Sequence, residues 1–150
     1  MTAKDYIHST SIRVRYAETD QMGVAYYANY LIWFEQARTE HFNSLGWSYR
    51  EAEARGYYLP VVEARCRYKA PAGYDDLLKI ESWVESWDKI RITIGYRALL
   101  ESSGKLLAEG ETAHVWTHRD LKVRTIPDDL IPMLPSEARG RAGEGEKSEG

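Results

Sequence analysis

The 150-residue sequence holds a single cysteine, Cys66, which excludes an intrachain disulfide and a cysteine-rich metal site. No apolar run reaches the roughly 18 residues that a membrane-spanning helix needs. A basic surplus is also missing: 20 Lys and Arg stand against 23 Asp and Glu, for a formal net charge of -3. Dedicated nucleic-acid binders carry such a surplus, so that class is set aside. The segment Met1 to Tyr6 lacks the apolar stretch of a secretory signal, and a cytoplasmic location is the expectation. Phenylalanine is scarce, with two residues, whereas there are eleven Tyr and five Trp. Tyr and Trp join a large apolar body to a polar tip, which suits pockets and interfaces as well as cores.

A chain of this length is one domain's worth, long enough to bury a substantial core. Its character changes at about Pro135. From Ser136 to Gly150 there is no large apolar residue, and the segment cannot offset its ordering entropy by burial. The expectation is a domain over 1–135 and a disordered tail over 136–150. No internal repeat is present.

Alternation from Ser11 to Tyr16, with Ile12, Val14 and Tyr16 on one side, predicts a half-buried strand. A polar loop follows, from Ala17 to Gly23. From about Ala28 to Leu45 the period becomes helical, and Leu31, Ile32, Trp33, Phe34, Ala37, Phe42 and Leu45 cover more than one stripe. That width predicts a helix buried on several sides. Gly46 ends it, and Ser48 with Glu51 opens a short second helix that Gly56 closes. Strands are predicted from Tyr58 to Arg124, with a turn at Pro71 to Asp76 and a hairpin at Ser102 to Lys105. A short helix over Pro127 to Leu134 is the last element. One long apolar helix with five strands implies an α+β fold, an antiparallel sheet wrapped around that helix.

The stretch Val14 to Tyr30 carries the chemistry. It places Asp20 in a loop between the first strand and the N-terminus of the buried helix. Amides at such a terminus lack intrahelical acceptors and can hold a developing oxyanion. On spacing alone Asp20 reads more readily as the cap of a turn or of the helix, since Asp is common in such loops, with a catalytic carboxylate as the other reading.

The run R-Y-x-E-T-D-x-M-G-V-x-Y-x-x-N-Y, from Arg15 to Tyr30, resembles the opening motif of hotdog-fold acyl-CoA thioesterases. These are the 4-hydroxybenzoyl-CoA thioesterase group and the relatives associated with the bacterial Tol-Pal system. Leu59 to Glu63, Tyr68 to Leu77 and Ala108 to Val115 resemble later segments of the same family, in the same order. The resemblance implies a hotdog fold with a five-stranded sheet around one long helix. It implies hydrolysis of acyl-CoA, Asp20 as nucleophile or general base, and carbonyl-polarising amides near Tyr27. It also implies a homo-oligomer, dimer or tetramer, with sites at subunit interfaces and no metal or cofactor. Gly23, Tyr26, Tyr30 and Glu63 are the candidate substrate contacts, Glu63 from a neighbouring subunit. Many relatives carry His where this chain has Tyr27, which leaves the role of that position altered here.

Other candidates compete. Cys66 falls mid-strand with Ala64 and Tyr68, a core position rather than a nucleophile's. His8, His41, His114 and His118 have no metal-ligand spacing. Glu35 and Glu40 lie on the long helix, and Trp33 and Trp47 are candidates for shaping an acyl pocket. Arg65, Arg67 and Lys69 form an outward basic row, either meeting CoA phosphates or facing solvent. Two functional alternatives stand beside hydrolysis. One is a non-catalytic acyl-thioester-binding dimer. The other is a dehydratase, which requires a His-acid pair where Tyr27 stands.

Overall fold

Period-2 alternation sets the sheet in the computed structural model, which describes residues 6–140. Five strands form: β1 His8–Arg13, β2 Val61–Tyr68, β3 Leu77–Trp87, β4 Arg91–Leu100 and β5 Leu106–Val115. They pair antiparallel in the order β1-β3-β4-β5-β2, so β1 and β2 are the edges. Ile12, Leu78, Ile80, Ile92, Ile94 and Ala98 point to one face and are almost fully buried. Helix α1, Asn29–Ser44, lies on that face. Its residues Tyr30, Trp33, Phe34, Ala37 and His41 recur at helical spacing and are buried against the sheet. Phe34 stacks on Tyr96 of β4, with centroids 4.4 Å apart and rings inclined by 7°. Gly110 of β5 makes this seat possible. A Cβ there would lie 2.4 Å from the Arg65 carbonyl oxygen and 2.9 Å from the Phe34 ring.

Helix α2, Tyr49–Ala54, begins at the Ser48 cap, whose side chain accepts the Glu51 amide. A buried polar chain crosses the interior. Arg38 donates to the Tyr96 hydroxyl at 3.2 Å, and that hydroxyl lies 2.7 Å from Thr112 Oγ1. Thr112 in turn meets His114 Nε2 at 2.7 Å.

Several expectations need correction. The first strand begins at His8 and ends at Arg13, not over Ser11 to Tyr16. Its inward positions include His8 and Thr10, which do not register as an apolar stripe. Helix α1 is buried on one side only within the chain, and Leu31 and Ile32 are 41% and 58% exposed. The sheet covers a single face of the helix, so these apolar residues have nothing above them among the described residues. The last strand leaves the regular ladder at Val115, with Thr117 continuing only as isolated bridges to Tyr58 and Val123. The short helix expected over Pro127 to Leu134 is a single 3-10 turn, Ile131–Met133. Pro132 lacks an amide and disfavours helical backbone in the residue before it.

The expected tail divides. Residues 141–150 lie outside the described residues. Ser136–Ala138 form another 3-10 turn, and Ala138 is buried. The Trp87 indole donates to the Pro135 carbonyl at 2.9 Å, and the Gly140 amide donates to the Trp87 carbonyl at 2.7 Å. The Arg139 guanidinium lies 5.1 Å from the Trp87 ring centre. Pro135, Arg139 and Gly140 therefore pack on Trp87, whose buried indole gains both a cover and an acceptor.

Candidate active site

The polypeptide leaves β1 through Val14, whose amide donates to the Asp76 carbonyl at 2.9 Å. Tyr16–Glu18 then make a 3-10 turn that ends in the predicted loop. Asp20 closes a tight turn. Its amide donates to the Val24 carbonyl at 2.9 Å, and its carbonyl accepts the Gly23 amide at 3.0 Å. Gly23 sits at φ +78°, a conformation that a side chain would strain. Asp20 Oδ1 accepts the Met22 amide at 2.9 Å, whereas Oδ2 has no hydrogen-bond partner among the described residues. One oxygen thus fixes the carboxylate and the other is uncommitted.

The helix entrance lies next along the chain. Ala25 donates to the Ala72 carbonyl and Tyr26 to the Glu18 carbonyl, both at 2.8 Å. The amides of Asn29, Tyr30 and Leu31 fold back onto the carbonyls of Tyr26, Tyr27 and Ala28 at 3.0 to 3.2 Å. Between these two sets, the amides of Tyr27 and Ala28 donate to no acceptor among the described residues. They stand at the positive end of α1, where partial charge favours an anion.

Aromatic rings surround this entrance. Tyr26 and Tyr27 are in contact, with centroids 4.6 Å apart, and Tyr68 of β2 meets both Tyr27 and Tyr30 edge-on. The Tyr68 hydroxyl donates to the Tyr27 carbonyl at 3.1 Å. The neighbouring Tyr27 hydroxyl raises the Tyr26 hydroxyl above its ordinary pKa, and the Asp20 charge adds to the shift. Asp20 and Gly23 share one turn, and Tyr26 and Tyr27 follow it at the helix entrance. Tyr30 is 3% exposed and belongs to the core, and burial pushes its hydroxyl up to about 12.

Other candidates lie elsewhere within the chain. Glu63 is exposed on the outer sheet face, with its carboxylate 3.3 Å from Arg65. Glu35 and Glu40 are on the exposed side of α1. Trp47 is buried and packs edge-on against Trp116. Cys66 is half-buried, and burial raises its thiol pKa, the opposite of what activates a nucleophile. The basic row is largely ion-paired: Arg65 with Glu111 and Glu63, and Lys69 with Glu109. Arg65, Arg67, Glu109 and Glu111 border a groove of about 450 Å³ with Trp83 and Arg97, on the sheet face opposite α1. No group of three or more metal-ligating side chains comes together among the described residues. No helix among them is long and apolar enough to cross a membrane.

One contributor escaped notice in the sequence. Glu18 is 6% exposed, and its carboxylate accepts the Arg15 amide at 2.8 Å and the Trp33 indole at 2.9 Å. Burial works to raise its pKa, but the Arg15 and Trp33 bonds and the Arg15 charge outweigh it and hold the carboxyl below its usual value. A glutamate in a polar loop gives no local signal of burial. Only its place within the opening motif could have marked it.

Residues 14–134 match the model of a family described as the thioesterase-like superfamily. The chain is 30% identical over 121 residues to the acyl-CoA thioester hydrolase YbgC of Escherichia coli O6:H1, covering 80% of this chain and 90% of that one. It is 30% identical over 133 residues to the 1,4-dihydroxy-2-naphthoyl-CoA hydrolase of Thermosynechococcus vestitus, covering 85% and 90%. The solved structure of DHNA-CoA thioesterase from Staphylococcus aureus superposes with a TM-score of 0.77 at 35% identity, over 84% of each chain. With a match from the end of β1 to the last 3-10 turns, and a five-stranded antiparallel sheet holding one main helix, the chain belongs to the thioesterase-like superfamily and has the hotdog fold.

Proposed function

We propose that this protein hydrolyses acyl-CoA thioesters to the free acid and CoA, without a metal or other cofactor. The observation that carries the reading is the Asp20 carboxylate, with Oδ2 uncommitted, in the turn that leads into the helix entrance where the amides of Tyr27 and Ala28 are undonated. In this reading the amides receive the thioester carbonyl oxygen and stabilise the negative charge that develops on it. Asp20 either attacks the carbonyl carbon, giving an anhydride that water then cleaves, or takes a proton from the attacking water. Both routes expel CoA as a thiolate. A thiol pKa near about 8.5 lets that group leave with little acid assistance, so neither a Lewis acid nor a His at position 27 is required.

Tyr26, Tyr27 and the turn at Gly23 frame the entrance, while Tyr30 supports it from the core. The reading includes a homodimer, which can associate further into a tetramer. Its supports are the free edge of β2 and the exposed Leu31, Ile32, Val61 and Val62. Glu63 would act only from a neighbouring copy, since within one chain it faces away from α1. A cytoplasmic location accompanies the reading, in keeping with a single cysteine and no disulfide.

The test is a hydrolysis panel over short, long and aromatic acyl-CoAs, run with the wild-type protein and Asp20→Asn. Asparagine keeps the volume and can accept the Met22 amide, so the fold survives. It cannot attack carbon or deprotonate water, and kcat is expected to fall about 10²–10⁴-fold. Affinity for acyl-CoA falls much less. Unchanged turnover in Asp20→Asn would remove Asp20 from the mechanism. Binding without hydrolysis in the wild-type protein would favour a non-catalytic acyl-thioester binder.

A further inference from the structure

Glu18 is the only Asp or Glu that is buried among the described residues. A buried carboxylate is unfavourable unless its oxygens are hydrogen-bonded, and here both are. Oε1 accepts the Arg15 amide, with the Arg15 Nε 3.4 Å away. Oε2 accepts the Trp33 indole from the second turn of α1. The same residue's carbonyl accepts the Tyr26 amide and the Asn29 side-chain amide, both at 2.8 Å. Glu18 therefore ties three pieces together: the exit from β1, the start of α1 and, two residues before Asp20, the loop that carries it. Among the described residues, the other side-chain bond across this junction, from Asn29, also ends on Glu18.

We infer that Glu18 is a positioning residue, whose carboxylate fixes the Asp20 loop against the helix entrance and so sets the placement of Asp20 relative to the Tyr27 and Ala28 amides. The inference rests on the hydrolysis reading above. It names a residue that touches no substrate and acts through the geometry of those that do. The chemistry is sensitive to that geometry, because a displacement of about 1 Å can reduce rate on the order of 10²-fold. Glutamine at this position has one acceptor oxygen and one NH2 group. It can satisfy either the Arg15 amide or the Trp33 indole, and it presents a donor to the other. Trp33→Phe removes the indole donor and keeps a ring in the core.

The experiment measures kcat, KM and melting temperature for Glu18→Gln, Trp33→Phe, the double variant and Asp20→Asn, well below all melting temperatures. The expected result is a kcat lowered about 10- to 100-fold in Glu18→Gln with KM little changed. Trp33→Phe loses less, and the double variant is no worse than Glu18→Gln, because both changes cut one tie. Wild-type kcat in Glu18→Gln, with only a lower melting temperature, would make the residue structural and overturn the inference. Multiplying losses in the double variant would overturn the shared tie. If Glu18→Gln does not fold, Trp33→Phe decides: a lower kcat at unchanged KM and melting temperature supports the inference, and wild-type kcat overturns it. Asp20→Asn keeps the two readings separate. An inactive Asp20→Asn beside a fully active Glu18→Gln defeats only the positioning role, whereas an active Asp20→Asn defeats the hydrolytic mechanism itself.

Discussion

Two histidines are buried in this protein without a carboxylate beside them among the described residues, and each will oppose protonation. His41 lies 3.0 Å from Ser82 Oγ through Nδ1, and burial pushes its pKa down to about 4, with the nearby His8 adding to the shift. His114, in the polar chain from Arg38, is likewise pushed down to about 4 by burial, with the Arg38 charge adding to it. In the unfolded chain both titrate near about 6.5. Between those values the unfolded state binds more protons, so stability is present above pH 6.5 and is lost as pH falls toward 4. At about 1.4 kcal/mol per pKa unit, the two shifts together amount to several kcal/mol. Thermal melts across this range should show a steep acid-side decline, and His41→Asn should flatten part of it. A melting temperature constant from pH 7 to 4 would contradict the buried neutral assignment. Residue by residue, legibility followed the same physics. Asp20 stood out because its loop precedes a helix start, whereas Glu18 and His114 also depend on partners distant in sequence, Trp33 and Leu59.

At the level of elements, β3 and β4 were readable from alternation because one face is buried and the other wet, and α2 from its Ser48 cap. The ends were less readable. Nothing local distinguishes a tail from a strap when the partner is Trp87, which lies some fifty positions earlier in the chain. The strap gives a direct test. A protein ending at Gly140 is the reference. One ending at Pro135 loses the Gly140 bond, the Ala138 burial and the Arg139 contact, and should be less stable by about 1–3 kcal/mol. Equal melting temperatures would return the boundary to Pro135. The seat of α1 gives a second. Gly110→Ala puts a methyl group against the Arg65 carbonyl, a backbone atom that cannot rotate away. Overpacking of this kind is worth about 1–3 kcal/mol of destabilisation, readable in denaturant melts. An unaffected midpoint would mean that β2 and β5 can part at no cost.

For the whole molecule, the decisive feature is what the single chain leaves uncovered. The wide apolar pattern of α1 was legible in sequence, but its meaning was not. Half of it seats on the sheet, while Leu31 and Ile32 stay exposed together with Val61 and Val62 of the edge strand. An edge strand offers unpaired backbone groups, and in the proposed dimer a second β2 would match it residue for residue. Lysine is the residue by which natural edges resist such pairing. Val62→Lys, at a position already 53% exposed, should therefore leave the monomer folded while placing two cations against each other in a dimer. Sedimentation should show a shift from dimer or tetramer toward monomer, with the far-ultraviolet spectrum unchanged. If Glu63 or another group from the neighbouring copy completes the site, turnover per chain should fall with the assembly and recover as protein concentration rises. A Val62→Lys protein that remains an oligomer would move the interface away from β2. One that is monomeric yet fully active would show that a single chain carries the whole catalytic site.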